Sequence, residues 1–105
     1  MKQLDLSTIV GESIRVLIGQ ERGVAVRNSF KLDELDVQQD PVEIIVPRTL
    51  RTLTPSFVQG LFASSVKRLG EEQFFAHYHF DAEDHMVGDI RAGIDRVLTS
   101  RHLAG

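Results

Sequence analysis

Two groups of side chains in this 105-residue chain carry reactive atoms at spacings that chemistry could use. One is Ser56, in the run Leu53-Thr54-Pro55-Ser56-Phe57; the other is His77-Tyr78-His79-Phe80-Asp81, followed by Asp84-His85. Ser56 directly follows a Thr-Pro pair that reads as a helix start. Its hydroxyl would stand at the positive end of the helix dipole, beside free backbone N–H groups. A phosphate there would add about −1.5 to −2 charges where the backbone is built to hold them. The ordinary reading is that small polar residues simply favour the first turn of helices. A nucleophilic serine would need a base within hydrogen-bond reach. The histidines available are His77, His79, His85 and His102, and nothing in the sequence sets one beside Ser56. There is neither a Gly-x-Ser-x-Gly elbow nor a Gly-rich phosphate loop. His77 and His79, two apart, would share one strand face, and with Asp81, Asp84 or His85 they form a candidate metal set. Strand histidines at that spacing more often lie on a solvated face.

Composition bounds these options. With 42% hydrophobic and 26% charged residues the chain can bury a core, and its length fits a single domain over 1–105. A net charge of −3 argues against a general nucleic-acid binder. Arg48, Arg51, Lys67 and Arg68 flank the central helix, where they read as a solvated face or a local attraction for an acidic partner. The chain has no cysteine, so neither a disulfide nor a thiolate site exists. No apolar run approaches the roughly 20 residues of a membrane span. Met1-Lys2-Gln3-Leu4-Asp5 lacks a signal-peptide core, and the expected location is cytoplasmic.

The elements that must position these residues follow from periodicity. Residues 3–10 alternate and predict a strand; Gly11-Glu12 predicts a tight turn, and 14–18 a second strand in an antiparallel hairpin. Gln20 to Leu35 predicts a helix with Val26 and Phe30 inward and Arg22, Arg27, Lys31 and Asp33 outward. Gly23 and Asn28 weaken it. After a polar loop from Asp36 to Pro41, Val42-Glu43-Ile44-Ile45-Val46 predicts a central strand stopped by Pro47. Thr54 then caps a helix with Pro55 at its first position. Leu53 and Val58 are spaced as a hydrophobic staple, and Phe57, Leu61, Phe62, Val66 and Leu69 recur on one face. Phe74 to Phe80 alternates as a strand, joined to the preceding one by a right-handed crossover. Asp84 to Arg101 predicts a last helix with Val87, Ile90, Ile94, Val97 and Leu98 inward. The expected fold is α/β: a small mixed sheet of about four strands in ββαβαβα order, with three helices. Helices on one face would leave the other partly open, with His77 and His79 on it.

The series Gly23…Arg27…Phe30, Val42 to Val46 and Leu50-x-x-Leu53-Thr54-Pro55-Ser56-Phe57-x-x-x-Leu61-Phe62 resembles the STAS-like domain family of unknown function. Those domains are similar to anti-sigma-factor antagonists. The resemblance spans about residues 4–98 and is sharpest from Leu53 to Phe62. In true antagonists a serine at the position of Ser56 is phosphorylated by a kinase of the histidine-kinase-like ATPase fold. Phe57 stands where those antagonists have glycine, as is usual in the STAS-like family. Thr54, Pro55 and Val46-Pro47 depart from the antagonist pattern, and Gln59-Gly60 replaces acidic residues that often follow. The His77 to His85 cluster superficially resembles the metal-binding run of metallo-β-lactamase-like hydrolases, but two extra residues separate Asp81 from Asp84.

The resemblance implies a non-catalytic regulatory module. Its partner-facing loop would be Thr52, Thr54, Pro55, Ser56 and Phe57, with Ser56 the candidate phosphosite. It implies a protein partner, a histidine-kinase-like ATPase or another signalling protein, and no cofactor. The competing reading is a small metal-binding protein or hydrolase using His77, His79 and Asp81. A third is a phage or mobile-element adaptor that blocks a host protein, as a monomer or a homodimer.

Overall fold

The computed structural model describes residues 1–104, with side chains to residue 99. Its strands are β1 (Lys2–Asp5), β2 (Val16–Leu17), β3 (Val42–Ile45), β4 (Thr52–Leu53) and β5 (Tyr78–Asp81). Its helices are α1 (Ser7–Val10), α2 (Gln20–Phe30), α3 (Leu32–Leu35), α4 (Pro55–Leu69), α5 (Glu71–His77) and α6 (Asp84–Ala104). The fold is α/β, and every strand pair is parallel. One sheet has the order β1-β3-β5; β2 and β4 form a separate two-stranded ribbon.

The expected antiparallel hairpin does not form. Asp5 is the reason: its Oδ1 accepts both the Ser7 N–H (2.9 Å) and the Ser7 hydroxyl (2.7 Å), while the Thr8 hydroxyl donates to the Asp5 carbonyl (2.7 Å). Short polar side chains thus turn the backbone into α1 and override the alternation. β1 pairs with β3, and β2 is left to pair with β4.

The helix expected over 20–35 is broken at Lys31. That residue is left-handed (φ 59°) and donates its N–H to the Asn28 carbonyl, separating α2 from α3. Of the strand expected over 74–80, only the end forms, within β5; residues 74–77 belong to helix α5 instead. Gly70, at φ 81°, both ends α4 and starts α5, and Glu71 and Glu72 suit that first turn. Phe74 and Tyr78, four apart, are both fully buried, so the helical spacing wins over the alternating one. The sheet is therefore parallel and not mixed, and six helices stand among the described residues in place of three.

Register explains which sheet face the helices cover. Lys2, Val42 and Tyr78 align in one row, and Leu4, Ile44 and Phe80 in the next row on the same face. Apart from Lys2 at the margin, these side chains are buried or half-buried. The opposite face carries Gln3, Glu43 and His79, then Asp5, Ile45 and Asp81, all exposed or half-exposed. Right-handed crossovers that step the same way across a sheet leave their helices on one side.

α4 is the centre of the helical layer, packed between α2 and α6. Its contacts to both require glycine. A Cβ on Gly60 would stand 2.1 Å from the Gln20 carbonyl oxygen, and one on Gly23 would stand 2.2 Å from the Phe57 carbonyl oxygen. A Cβ on Gly93 of α6 would stand 2.5 Å from Val58. Toward the sheet, Phe62 is ringed by Phe74, Phe80 and Tyr78 at centroid distances of 5.1, 5.6 and 5.8 Å. Phe57, Leu61 and Phe62 are buried, each contributing about 1.5–3 kcal/mol by removal from water.

Gly60→Ala should destabilise the protein by about 1–3 kcal/mol or more, because the added methyl meets backbone, which cannot step aside. Gly88→Ala, in α6 with open space around it, should stabilise by about 0.5–1 kcal/mol. Denaturant titration of the two variants checks the contrast; equal stabilities would contradict the close crossing.

Candidate functional site

The corner before α4 is built as its residues dictate. Thr54 is extended (φ −77°, ψ 152°), its Oγ1 accepts the Phe57 N–H at 3.3 Å, and Pro55 follows at the first helical position. Such a cap contributes about 1 kcal/mol. The same Oγ1 accepts the Gly19 N–H at 3.3 Å, and the Thr54 N–H donates to the Leu17 carbonyl at 3.1 Å. Thr54 therefore fastens the start of α4 to the end of β2 and the start of α2.

Ser56 is half-buried, and its Oγ lies 3.2 Å from Thr54 Oγ1. Thr52 is exposed and Pro55 half-exposed. Phe57 is fully buried, so within the expected partner-facing loop it anchors the corner from below and offers no surface. Along α4, Phe62 packs on Phe80 and Ser65 shares Asp36 with Tyr78, so α4 runs antiparallel to β5 and its first turn lies toward the carboxyl end of the three-stranded sheet. That is the end where open α/β sheets place ligand sites.

The flanking basic residues do not form one patch. Arg48 pairs with Asp81 at 3.0 Å, and Arg68 reaches the Asp33 carbonyl at 3.1 Å. Arg51 and Lys67 are exposed.

The histidine cluster disperses. His77 is the last residue of α5, not a strand residue beside His79, and its Nε2 lies 2.7 Å from the Leu35 carbonyl oxygen. His79 sits on the open sheet face with Nε2 3.0 Å from the Ala76 carbonyl oxygen. Asp81 is taken by Arg48, and His85 Nδ1 stands 4.0 Å from Glu83. Among the described residues, no group of three or more His, Cys, Asp or Glu side chains is placed to hold a metal ion. None of these three histidines is a hydrogen-bond partner of Ser56; the side chain of His102 lies outside the described residues.

The polar cluster that periodicity did not find lies at the other end of α4. Arg27, read as an outward residue, is buried, and its Nη1 donates to the Leu61 carbonyl (2.9 Å) and the Ser65 hydroxyl (2.7 Å). Its Nη2 donates to Asp33 (2.6 Å) and Asp36 (2.8 Å). The Ser65 hydroxyl donates to Asp36 Oδ1 at 2.7 Å, and the Tyr78 hydroxyl donates to the same oxygen. The carboxylate of Asp36 is wholly enclosed. Burial works against the charge on Arg27, but hydrogen bonds and attraction from Asp33 and Asp36 outweigh it and raise its pKa. The Arg27 hydrogen bond holds Asp33 below the usual carboxylate range. Burial, then the bond to Asp36, pushes the Tyr78 phenol well above its ordinary value. Every buried side-chain polar atom among the described residues has a partner. The one legible signal was Ser65, a polar residue on the apolar face of α4. Closed around the buried Asp36 and open to solvent only at Asp33, the cluster positions α2, α3, α4 and β5 against one another. Removing Arg27 would leave the buried Asp36 carboxylate with two hydroxyl donors and only the half-exposed Arg68, at 3.5 Å, as a cation; breaking such a buried pair costs about 3–5 kcal/mol.

No protein-family model, curated protein or solved structure matches this chain.

Tyr78 is the one tyrosine, and there is no tryptophan, so tyrosinate absorbance reports this cluster alone. A phenol whose pKa is higher in the folded state contributes stability that is full below the unfolded value of about 10 and is lost as pH rises past it. The absorbance of the folded protein should stay flat through pH about 10 and rise only with unfolding, while urea-unfolded protein titrates near 10. Ordinary titration in the folded protein would contradict the bond to Asp36.

Proposed function

We propose that the protein is a non-catalytic regulatory module of the STAS-like kind, which presents the corner Thr52 to Ser56 to a protein partner. Ser56 is its phosphoacceptor. The observation that carries this reading is the pairing of Ser56 Oγ with Thr54 Oγ1 alone among the described side chains, at the start of a rigid, capped 15-residue helix. A hydroxyl so placed accepts a phosphate without disturbing the core, since the residues beneath it, Phe57 and Val58, are already buried. The added charge would sit on the favourable end of the helix dipole. The partner class that fits is a serine kinase of the histidine-kinase-like ATPase fold, or a signalling protein that reads its product. The module works in the cytoplasm; no helix among the described residues is long and apolar enough to cross a membrane.

Protein incubated with the cognate kinase of its host should carry phosphate on Ser56 by mass spectrometry. Ser56→Asp should change the captured partner at least tenfold relative to wild type while melting at the same temperature. An unmodified Ser56, together with equal partner capture by wild type, Ser56→Ala and Ser56→Asp, would remove the proposal.

A further inference from the structure

β5 is the end strand of its sheet, so one side of Tyr78–Asp81 meets no other strand. The Asp81 carbonyl accepts the Val46 N–H, which turns Asp81 and, two residues earlier, His79 toward β3. Alternation then aims the Phe80 N–H and C=O, and the Tyr78 C=O, away from the sheet; the Tyr78 N–H is bonded to the Phe74 carbonyl. A strand edge left in this way is a template for another strand. Natural edges are blunted by bulges, prolines, inward charges or a covering segment. β5 contains no proline.

α6 returns beside this edge without closing on it. Between them lies a groove of about 270 Å³ lined by Phe75, Tyr78, His79, Phe80, Val87 and Arg91. Phe75, Phe80 and Val87 are half-buried, so each shows an apolar surface to the groove. The Arg91 guanidinium stands 4.5 Å from the centre of the Phe75 ring, which holds it at the groove without neutralising it. Arg91 makes no ion pair among the described residues. No carboxylate belongs to the lining, and Arg91 is its one residue of fixed charge.

A strand edge beside a helix, with apolar surface between, is the arrangement in which an extended peptide adds to a sheet: backbone bonds supply affinity and alternate side chains supply specificity. We propose that the β5–α6 groove binds an extended segment of a partner protein as a fourth strand. Alternate apolar side chains of the segment rest on Phe75, Phe80 and Val87, and a carboxylate reaches Arg91. The cationic lining in a chain of net charge −3 selects an acidic segment. None of the lining residues belongs to the Thr54 corner, so this site stands apart from Ser56.

The test is selection of random nine-residue peptides, displayed on mRNA, against the full chain, followed by fluorescence polarisation with the enriched peptides. Enriched peptides should alternate apolar residues, carry Asp or Glu and lack proline. Arg91→Glu and Val87→Lys, each melting like wild type, should weaken their binding at least tenfold. N-methylation of the peptide's central amide, which leaves the protein untouched, should abolish it. No enrichment, winners that bind Arg91→Glu as well as wild type, or winners that tolerate N-methylation would overturn the proposal. A dimer in sedimentation that Val87→Lys dissolves, with no peptide enriched, would assign the groove to a second copy of the chain and overturn it too.

Discussion

The structure depends on how closely α2 and α4 cross. Gly23 and Gly60 remove the side chains that would hold the two backbones apart, and each glycine lies against the other helix's main chain. That approach lets α4 sink into the layer until Phe62 reaches the aromatic side chains of α5 and β5. The glycine cost in helix propensity, about 1 kcal/mol each, is offset by the apolar surface buried on both sides. On the α6 side, Gly93 makes room for the side chain of Val58. With small residues at both contacts, one fifteen-residue helix touches both neighbouring helices and the sheet.

α4 carries different chemistry at its two ends. Toward its carboxyl end, Ser65 joins Arg27, Asp36 and Tyr78 in a closed set of hydrogen bonds. Such clusters are weak evidence for stability, because desolvation offsets attraction. Their value here is geometric, as four elements must meet in one arrangement for Asp36 to be satisfied. At the amino end, the threonine cap joins three backbone segments and leaves Ser56 beside it with one neighbour. Three backbone segments are thus fastened together beside the half-buried Ser56.

Legibility in the sequence followed the range of the forces involved. The Thr54-Pro55 start, the β-branched run of β3 and the apolar stripe of α6 are local signals, and each stands in the structure near its expected bounds. The hairpin failed because the alternation in residues 3–10 says nothing of Asp5, whose carboxylate recruits the Ser7 N–H and hydroxyl. The strand expected from Phe74 begins only at Tyr78, because four aromatic residues in seven satisfy both periods, and Gly70 with two glutamates decided for helix up to His77. Gly23 read as a weakness in α2 because its purpose lies on another helix. Of the candidate site, Ser56 and its cap were legible, while the burial of Phe57 and the dispersal of the histidines were set by tertiary contacts. Arg27 and Asp36 looked like solvent-facing charges, since their partner in α4 is 29 to 38 residues away.

If α4 is the element on which the rest is assembled, its middle amides must be the last to open. Native-state hydrogen exchange measures this directly. Amides from Leu61 to Val66 should exchange only through global unfolding, with the highest protection in the protein, and denaturant should accelerate them with the full equilibrium slope. Exchange of these amides by local opening, while those of β1 and β3 remain protected, would contradict the account.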